Sequence, residues 1–281
     1  METLRFGATR LAAHMQQLTV RAQRHLAELY DLLFAPLEKH ISTQSVVVVP
    51  HRSVHYVPFQ ALFDSSGYLV ERFEISFAPS ANVLLHCLTK PPPRLDSILL
   101  MGVPDERIPR VLDEVDALSS LFPATVRLVG EQATLGSLRE YAPQVDVLHM
   151  ACHGYFRPDN PLFSSVQLAD GWLTVRDAYD LDLSKCGLVT LSACETGVSD
   201  VAPGDELIGL ARGFISAGAS TILVSLWTVD DEATATLMEI FYRRLQSGDR
   251  PAAALRHAQC ELIAKQPHPF FWSPFVLLGR G

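Results

Sequence analysis

The sequence predicts an α/β fold: a mostly parallel sheet with helices on both faces, preceded by an N-terminal helical and β-rich part. Three observations carry that expectation. Short, continuously apolar runs recur from residue 97 onward, as buried parallel strands require. Between or after them lie segments whose apolar residues repeat at helical spacing. Hydrophobic residues make up 48% of the 281 and charged ones 19%, enough to fill a sizeable core.

The elements follow in order. Leu11, Met15, Leu18, Leu26, Leu29 and Leu33 recur at roughly helical spacing, predicting a helix over 1–37 that Pro36 brings to an end. A β-rich stretch follows, with strands expected at 46–49, 56–63 and 75–78 and the Asp64-Ser-Ser-Gly67 turn between the last two. A short helix over 82–88 leads to Lys90-Pro-Pro-Pro-Arg94, where extended proline reads as a linker. The expected division is therefore 1–90 and 94–281. Beyond the prolines, strands are expected at 97–102, 126–128, 145–150, 187–192 and 220–226. Helices are expected at 111–121, 135–141, 205–217 and 231–245.

Composition excludes several classes of function. Net charge is 23 − 31 = −8 with no block of Lys and Arg, so direct nucleic-acid binding is not expected. Apolar runs such as 46–49 and 98–101 fall far short of the ~20 residues of a membrane span, and 1–30 lacks the apolar core of a secretory signal. Five cysteines (Cys87, Cys152, Cys186, Cys194, Cys260) without a Cys-x-x-Cys suit a reducing cytoplasm rather than a disulfide framework or structural zinc. Neither Gly-x-x-x-x-Gly-Lys-Ser/Thr nor Gly-x-Gly-x-x-Gly follows a strand, which argues against a nucleotide site.

In such sheets chemistry collects at the carboxyl ends of strands. Two ends stand out: Val145-Asp-Val-Leu-His-Met-Ala-Cys-His153-Gly154 and Leu188-Val-Thr-Leu-Ser-Ala-Cys194-Glu-Thr-Gly197. A thiolate is the reactive form of cysteine, and a nearby imidazole can take the thiol proton or give one to a leaving amine. The separation, 194 − 153 = 41 positions, is enough for one strand–crossover–strand unit, so adjacent parallel strands can deliver both residues to one rim. Gly154 lacks a Cβ, so its N–H can approach a substrate oxygen and, with the Cys194 N–H, form an oxyanion hole. The bland alternative is a structural His and Cys at strand ends.

His-Gly after one strand and Ser-Ala-Cys-Glu-Thr-Gly after the next resemble the CHAT domain, a caspase-like and separase-like cysteine protease module often joined to tetratricopeptide repeats. Val48-Val-Pro-His-Arg52, Val57-Pro-Phe-Gln-Ala-Leu62 and Ala78-Pro-Ser80 resemble the family's upstream landmarks. Pro203-Gly-Asp-Glu206, 211–219 and Ser225-Leu-Trp-Thr-Val-Asp230 resemble its downstream ones. The resemblance implies a caspase-like sheet and a pseudo-protease-like N-terminal part. It also implies His153 as general base and acid, Cys194 as nucleophile, and Gly154 with Cys194 as oxyanion-hole donors. Leu226-Trp-Thr-Val-Asp-Asp231 resembles the separase stretch whose last Asp binds a basic P1 residue, which would make Asp231 a substrate-binding residue. The same acids also read as helix caps. Asp205, after Pro203-Gly204, likewise reads as a cleft residue or an N-cap.

The expected activity is that of a cytoplasmic cysteine endopeptidase acting through an acyl-enzyme, needing no metal or organic cofactor. Its expected partners are a protein or peptide substrate and a regulatory tetratricopeptide-repeat or other activating protein. The alternative, of another class, is a CHAT-like scaffold that binds a partner protein without turnover. The remaining histidines and cysteines read as decoys. His149 and His153 lie four apart on a strand, roughly 13 Å, too far to share a metal; Cys152 points to the opposite face from its neighbour His153.

Overall fold

The computed structural model of the chain describes residues 2–106, 108, 110–155, 164–195, 205–227 and 230–281, with the side chains of 2–13, 193–195 and 205–208 outside that description. Helix α1 (Glu2–Leu33) is followed by the one-turn α2 (Ala35–Glu38), so the expected single helix breaks at Phe34. Pro36 sits in the first turn of α2, where its missing N–H costs nothing. Strand β1 (Ser45–Val48) comes next.

The expected strand over 56–63 does not form. Two turns of 3-10 helix, Arg52–Tyr56 and Phe59–Ala61, occupy that stretch, and a two-residue hairpin follows, β2 (Phe63–Asp64) with β3 (Gly67–Tyr68). Pro58 has no N–H for a ladder, and burial of Phe59, Gln60 and Ala61 on one short turn, with the Gln60 amide donating to the Ser273 carbonyl, outweighs the alternating pattern.

Strand β4 (Glu74–Phe77) and helix α3 (Ala81–Thr89) follow, with Ser80 Oγ accepting from the Val83 N–H at 3.2 Å as N-cap. The α/β part then runs β5 (Ser97–Gly102), α4 (Val111–Ser119), β6 (Ala124–Val129), α5 (Leu135–Tyr141) and β7 (Val147–Tyr155). A hairpin, β8 (Ser165–Leu168) and β9 (Gly171–Thr174), leads to α6 (Val175–Tyr179), β10 (Leu188–Glu195), α7 (Asp205–Ala217) and β11 (Thr221–Ser225). The chain closes with α8 (Asp231–Gln246), α9 (Pro251–Lys265), α10 (Pro269–Trp272) and β12 (Phe275–Gly279). The β8–β9 hairpin, α9 and β12 were not legible in the sequence. The buried side of α9 mixes the small Ala252, Ala254 and Ala258 with Pro251 and the polar Gln259, which gives a weak periodic signal.

One sheet takes the order β1-β4-β12-β11-β10-β7-β5-β6, with β8 and β9 added at the end of β7. Neighbours along that path are parallel except β11 and β12. Strands β1 and β4, which precede the proline run, join the same sheet through β12. Helices cover both faces. Leu148, Met150, Val189 and Leu191 pack toward Leu210 and Phe214 of α7, while Val147, Ala151, Leu188 and Leu223 pack toward α4, α8 and α9.

The amino ends of the central strands are tied together at Asp146. Its carboxylate accepts from the Ser97 N–H at 2.9 Å and the Ser97 Oγ–H at 2.7 Å, fixing β5 to β7. The Asp146 carbonyl accepts the Gly187 N–H at 2.9 Å, and the Gly187 carbonyl accepts the Thr221 N–H at 3.0 Å, carrying the alignment to β10 and β11. Asp146 is 1% exposed, so removing its side chain strands the Ser97 donors away from water. Asp146→Ala is expected to lower the free energy of unfolding by about 2–3 kcal/mol in urea titrations, with Asp146→Asn losing less.

Candidate functional site

The register follows from those pinned ends. Leu188 pairs with Val147, and the ladder runs without a bulge to Cys194 opposite His153 and Glu195 opposite Gly154. Both strands continue past the residues that the apolar runs had ended on, so His153 lies within β7 and is 3% exposed. The Cys194 side chain is outside the described residues; its backbone position is what the register fixes. Gly154 is buried between Glu195 of β10 and Val166 of β8. Asp205 is the first residue of α7, and its side chain too lies outside the description.

The imidazole of His153 is held from the loop that follows the neighbouring strand β5. Its Nε2 lies 2.6 Å from Oδ2 of Asp105, in the loop after β5, while its Nδ1 is buried without a hydrogen-bond partner. Asp105 was not singled out from the sequence. No local signal marked it: an acid three residues beyond Gly102 reaches the same carboxyl rim only because β5 lies beside β7.

Beneath the rim is a buried polar cluster. His149 is fully buried, its Nδ1 is 3.1 Å from the Tyr242 hydroxyl, and that hydroxyl is 2.7 Å from Thr190 Oγ1. His149 Nε2 stands 3.0 Å from Glu114 Oε1, close enough for an ion pair though not aligned as a hydrogen bond, and Ser192 Oγ–H donates to Glu114 Oε2 at 3.2 Å. His149 is thus a partnered core histidine, and both its nitrogens face protein groups rather than His153. The other described thiols are poor nucleophiles. Cys87 and Cys260 are pushed up by burial, and Cys186 by burial to about 12. Cys152, 2% exposed, packs with the cluster on the far face.

Asp231 and its neighbour divide two roles. Asp230 is the N-cap of α8, its Oδ1 accepting the Ala233 N–H at 2.9 Å, so the capping reading belongs to Asp230 and not to Asp231. Asp231 is the first helical residue and borders a narrow cavity lined also by Arg110, Val111, Glu114, Ser192 and Thr234. The cavity holds about 10 Å³, room for roughly one water. Burial raises the Asp231 carboxyl above its ordinary value, the charges of Asp230 and Glu114 add to this, and Arg110 and His153 oppose it.

The chain is similar to known proteins over most of its length. The CHAT domain family profile matches residues 23–280. Tetratricopeptide repeat protein 28 of Mus musculus and that of Homo sapiens are each 28% identical to the chain, over an alignment covering 92% of it. The chain spans only 13% of the length of those relatives. The Saccharomyces cerevisiae separase–securin complex superposes with a TM-score of 0.57 at 15% identity, over 81% of this chain and 15% of that one. The complex of Porphyromonas gingivalis RgpB pro- and mature domains gives 0.56 at 10% identity, over 92% and 68%. The Arg specific cysteine proteinase gingipain R gives 0.56 at 9% identity, over 92% and 66%. The fold is therefore caspase-like. No helix among the described residues is long and apolar enough to cross a membrane.

The two aspartates should separate cleanly in stability measurements. Asp230→Ala is expected to cost about 1 kcal/mol, the usual loss of a cap. A carboxyl raised in the fold binds protons more tightly there than in the unfolded chain, so its contribution to stability falls as pH rises through the ordinary value toward the raised one. Asp231→Asn should therefore raise the thermal midpoint at pH 7, and the difference should vanish when pH falls below ~4.

Proposed function

The chain belongs to the CHAT domain family, and from that premise we propose that it is a cysteine endopeptidase acting through a His153–Cys194 dyad. The observation that carries this reading is the register that pairs position 194 with position 153 on adjacent parallel strands. Cys194 attacks the scissile carbonyl, and the backbone N–H groups of Gly154 and Cys194 receive the oxyanion. His153 takes the thiol proton and gives it to the departing amine; water then releases the acyl group, with His153 acting as base. His153 lies almost fully out of solvent, which strengthens its interactions with charge that develops nearby.

The substrate is a protein or peptide, and Asp231 is its P1 contact. A carboxylate whose ionisation is opposed by burial and by two neighbouring acids gains by meeting a cation. The cavity beside it is too small for a guanidinium, so a P1 Arg or Lys would meet Asp231 at the cavity mouth. A solved neighbour of the same fold is an Arg specific proteinase, which supports the preference. Asp205 is read as a second residue of the cleft. We read 1–90 as a pseudo-protease-like part that extends the sheet of the 94–281 protease part. The cytoplasm is the proposed location, from the cysteine usage, and a tetratricopeptide-repeat or other activating protein the proposed regulatory partner, because the relatives carry that name.

Peptides differing only at P1 test this. Arg and Lys substrates should be cleaved and Asp substrates refused, and Cys194→Ala or His153→Ala should abolish turnover. Asp231→Ala should lower kcat/KM for the Arg peptide roughly 10- to 100-fold, as loss of ~1.5–3 kcal/mol from a hydrogen bond to a charged group implies. Selective labelling of Cys194 by a peptide-ketone separates a poised thiolate from a silent scaffold that only binds a partner. Turnover that survives in Cys194→Ala would remove the dyad.

A further inference from the structure

We propose that Asp105 is a positioning residue for His153, an inference that rests on the dyad reading above: its carboxylate holds the imidazole with the proton on Nε2 and leaves Nδ1 as the base. The contact is 2.6 Å, between Oδ2 and Nε2, and closes one nitrogen of a ring that is 3% exposed. An ionised carboxylate can only accept a hydrogen bond, so Nε2 must be the donor. That fixes the neutral tautomer, with the lone pair on Nδ1.

The carboxylate is itself held. Its Oδ1 accepts the Ile108 N–H at 3.1 Å, closing a turn in the loop that follows β5. Asp105 therefore presents one oxygen to the backbone and the other to His153. The remaining nitrogen, Nδ1, is buried without a hydrogen-bond partner. An orphaned buried acceptor is costly, and such atoms collect where a reacting group completes the set. The register supplies that group from β10, at Cys194.

The proton accounting follows from the tautomer. The Cys194 thiol loses its proton to Nδ1 as the C–S bond forms. The imidazolium keeps Nε2–H on Asp105 and passes the Nδ1 proton to the amine nitrogen as the C–N bond breaks. Asp105 stays ionised throughout, and its charge favours the imidazolium between those steps. Among the described residues, the acids that act on His153 are Asp105 from the loop after β5 and Asp231 from α8, and position 194 of β10 pairs with it across the ladder. Glu114 of α4 approaches His149, one repeat deeper in the sheet. Asp231 also favours a charged His153, so a test must leave Asp231 in place.

The experiment follows the ring directly. NMR titration of His153, with nitrogen shifts reporting the tautomer, is run on Cys194→Ala with and without Asp105→Asn. The proposal expects Nε2–H in the parent and a midpoint about one unit lower after Asp105→Asn, since the neighbouring charge is gone. In the active protein, Asp105→Asn should lower kcat on the order of 100-fold or more with KM little changed, because an amide can donate to Nε2 and force the proton onto Nδ1. Asp105→Glu should restore part of the rate. An unchanged midpoint and tautomer would overturn the proposal, as would a changed P1 preference with His153 titrating as before, which would make Asp105 a substrate contact. Absence of turnover in the parent would sink the endopeptidase reading alone, because the titration decides Asp105 without it.

Discussion

From Val147 to His153 is 153 − 147 = 6 steps along β7, and from Leu188 to Cys194 is 194 − 188 = 6 along β10. Positions 153 and 194 are level only because the two strands start level. A slip of one residue would put the partner of His153 on the opposite face of the sheet. Both faces here are packed by helices, so side-chain alternation alone defends the register weakly: an apolar residue is acceptable either way. The polar ties at the amino ends supply the missing discrimination. Asp146 can satisfy both Ser97 donors and present its carbonyl to Gly187 in one alignment. A buried, partnered carboxylate at the amino ends thus sets which residues stand level at the carboxyl rim.

The same division between apolar and polar information explains what could be read from the sequence. Continuous apolar runs located β5, β7, β10 and β11 within a few residues, because a strand covered on both faces leaves little else it can be. They ended β7 and β10 too early. His153, Cys194 and Gly154 are not apolar, yet the backbone ladder carries through them to Tyr155 and Glu195. The stretch over 56–63 failed the other way. Its composition favoured a strand, but Pro58 and the buried 3-10 turn at Phe59–Ala61 overrode it. Asp105 was invisible for a third reason. A loop acid acquires meaning only when the order of strands is known, and the placement of β5 beside β7 is a topological fact rather than a local one.

Helix α8 shows how adjacent, chemically identical residues are assigned to different tasks. The acid pair Asp230-Asp231 reads from sequence as capping or as recognition. The backbone conformation resolves it: Asp230 is extended, with φ −78° and ψ 127°, so its carboxylate folds back onto the Ala233 N–H, while Asp231 has already entered the helix. A first-turn acid gains from the helix dipole, but Asp231 also borders Glu114 and the cavity at the rim. The net effect is a carboxyl held against its own ionisation.

The cysteines make the same point by contrast. Cys87, Cys186 and Cys260 are placed by packing, and burial raises each thiol, so a neutral side chain serves them well. Cys152 has an imidazole next to it in sequence, but alternation turns it toward the other core. Position 194 alone among the five pairs across a parallel ladder with a histidine whose free nitrogen is buried and whose other nitrogen is fixed by an acid. Adjacency in the chain is therefore a poor guide to which side chains share a face in this fold. The neighbour that position 194 meets lies one strand away, and the buried network of Glu114, His149, Tyr242 and Thr190 forms a floor beneath it on the same face.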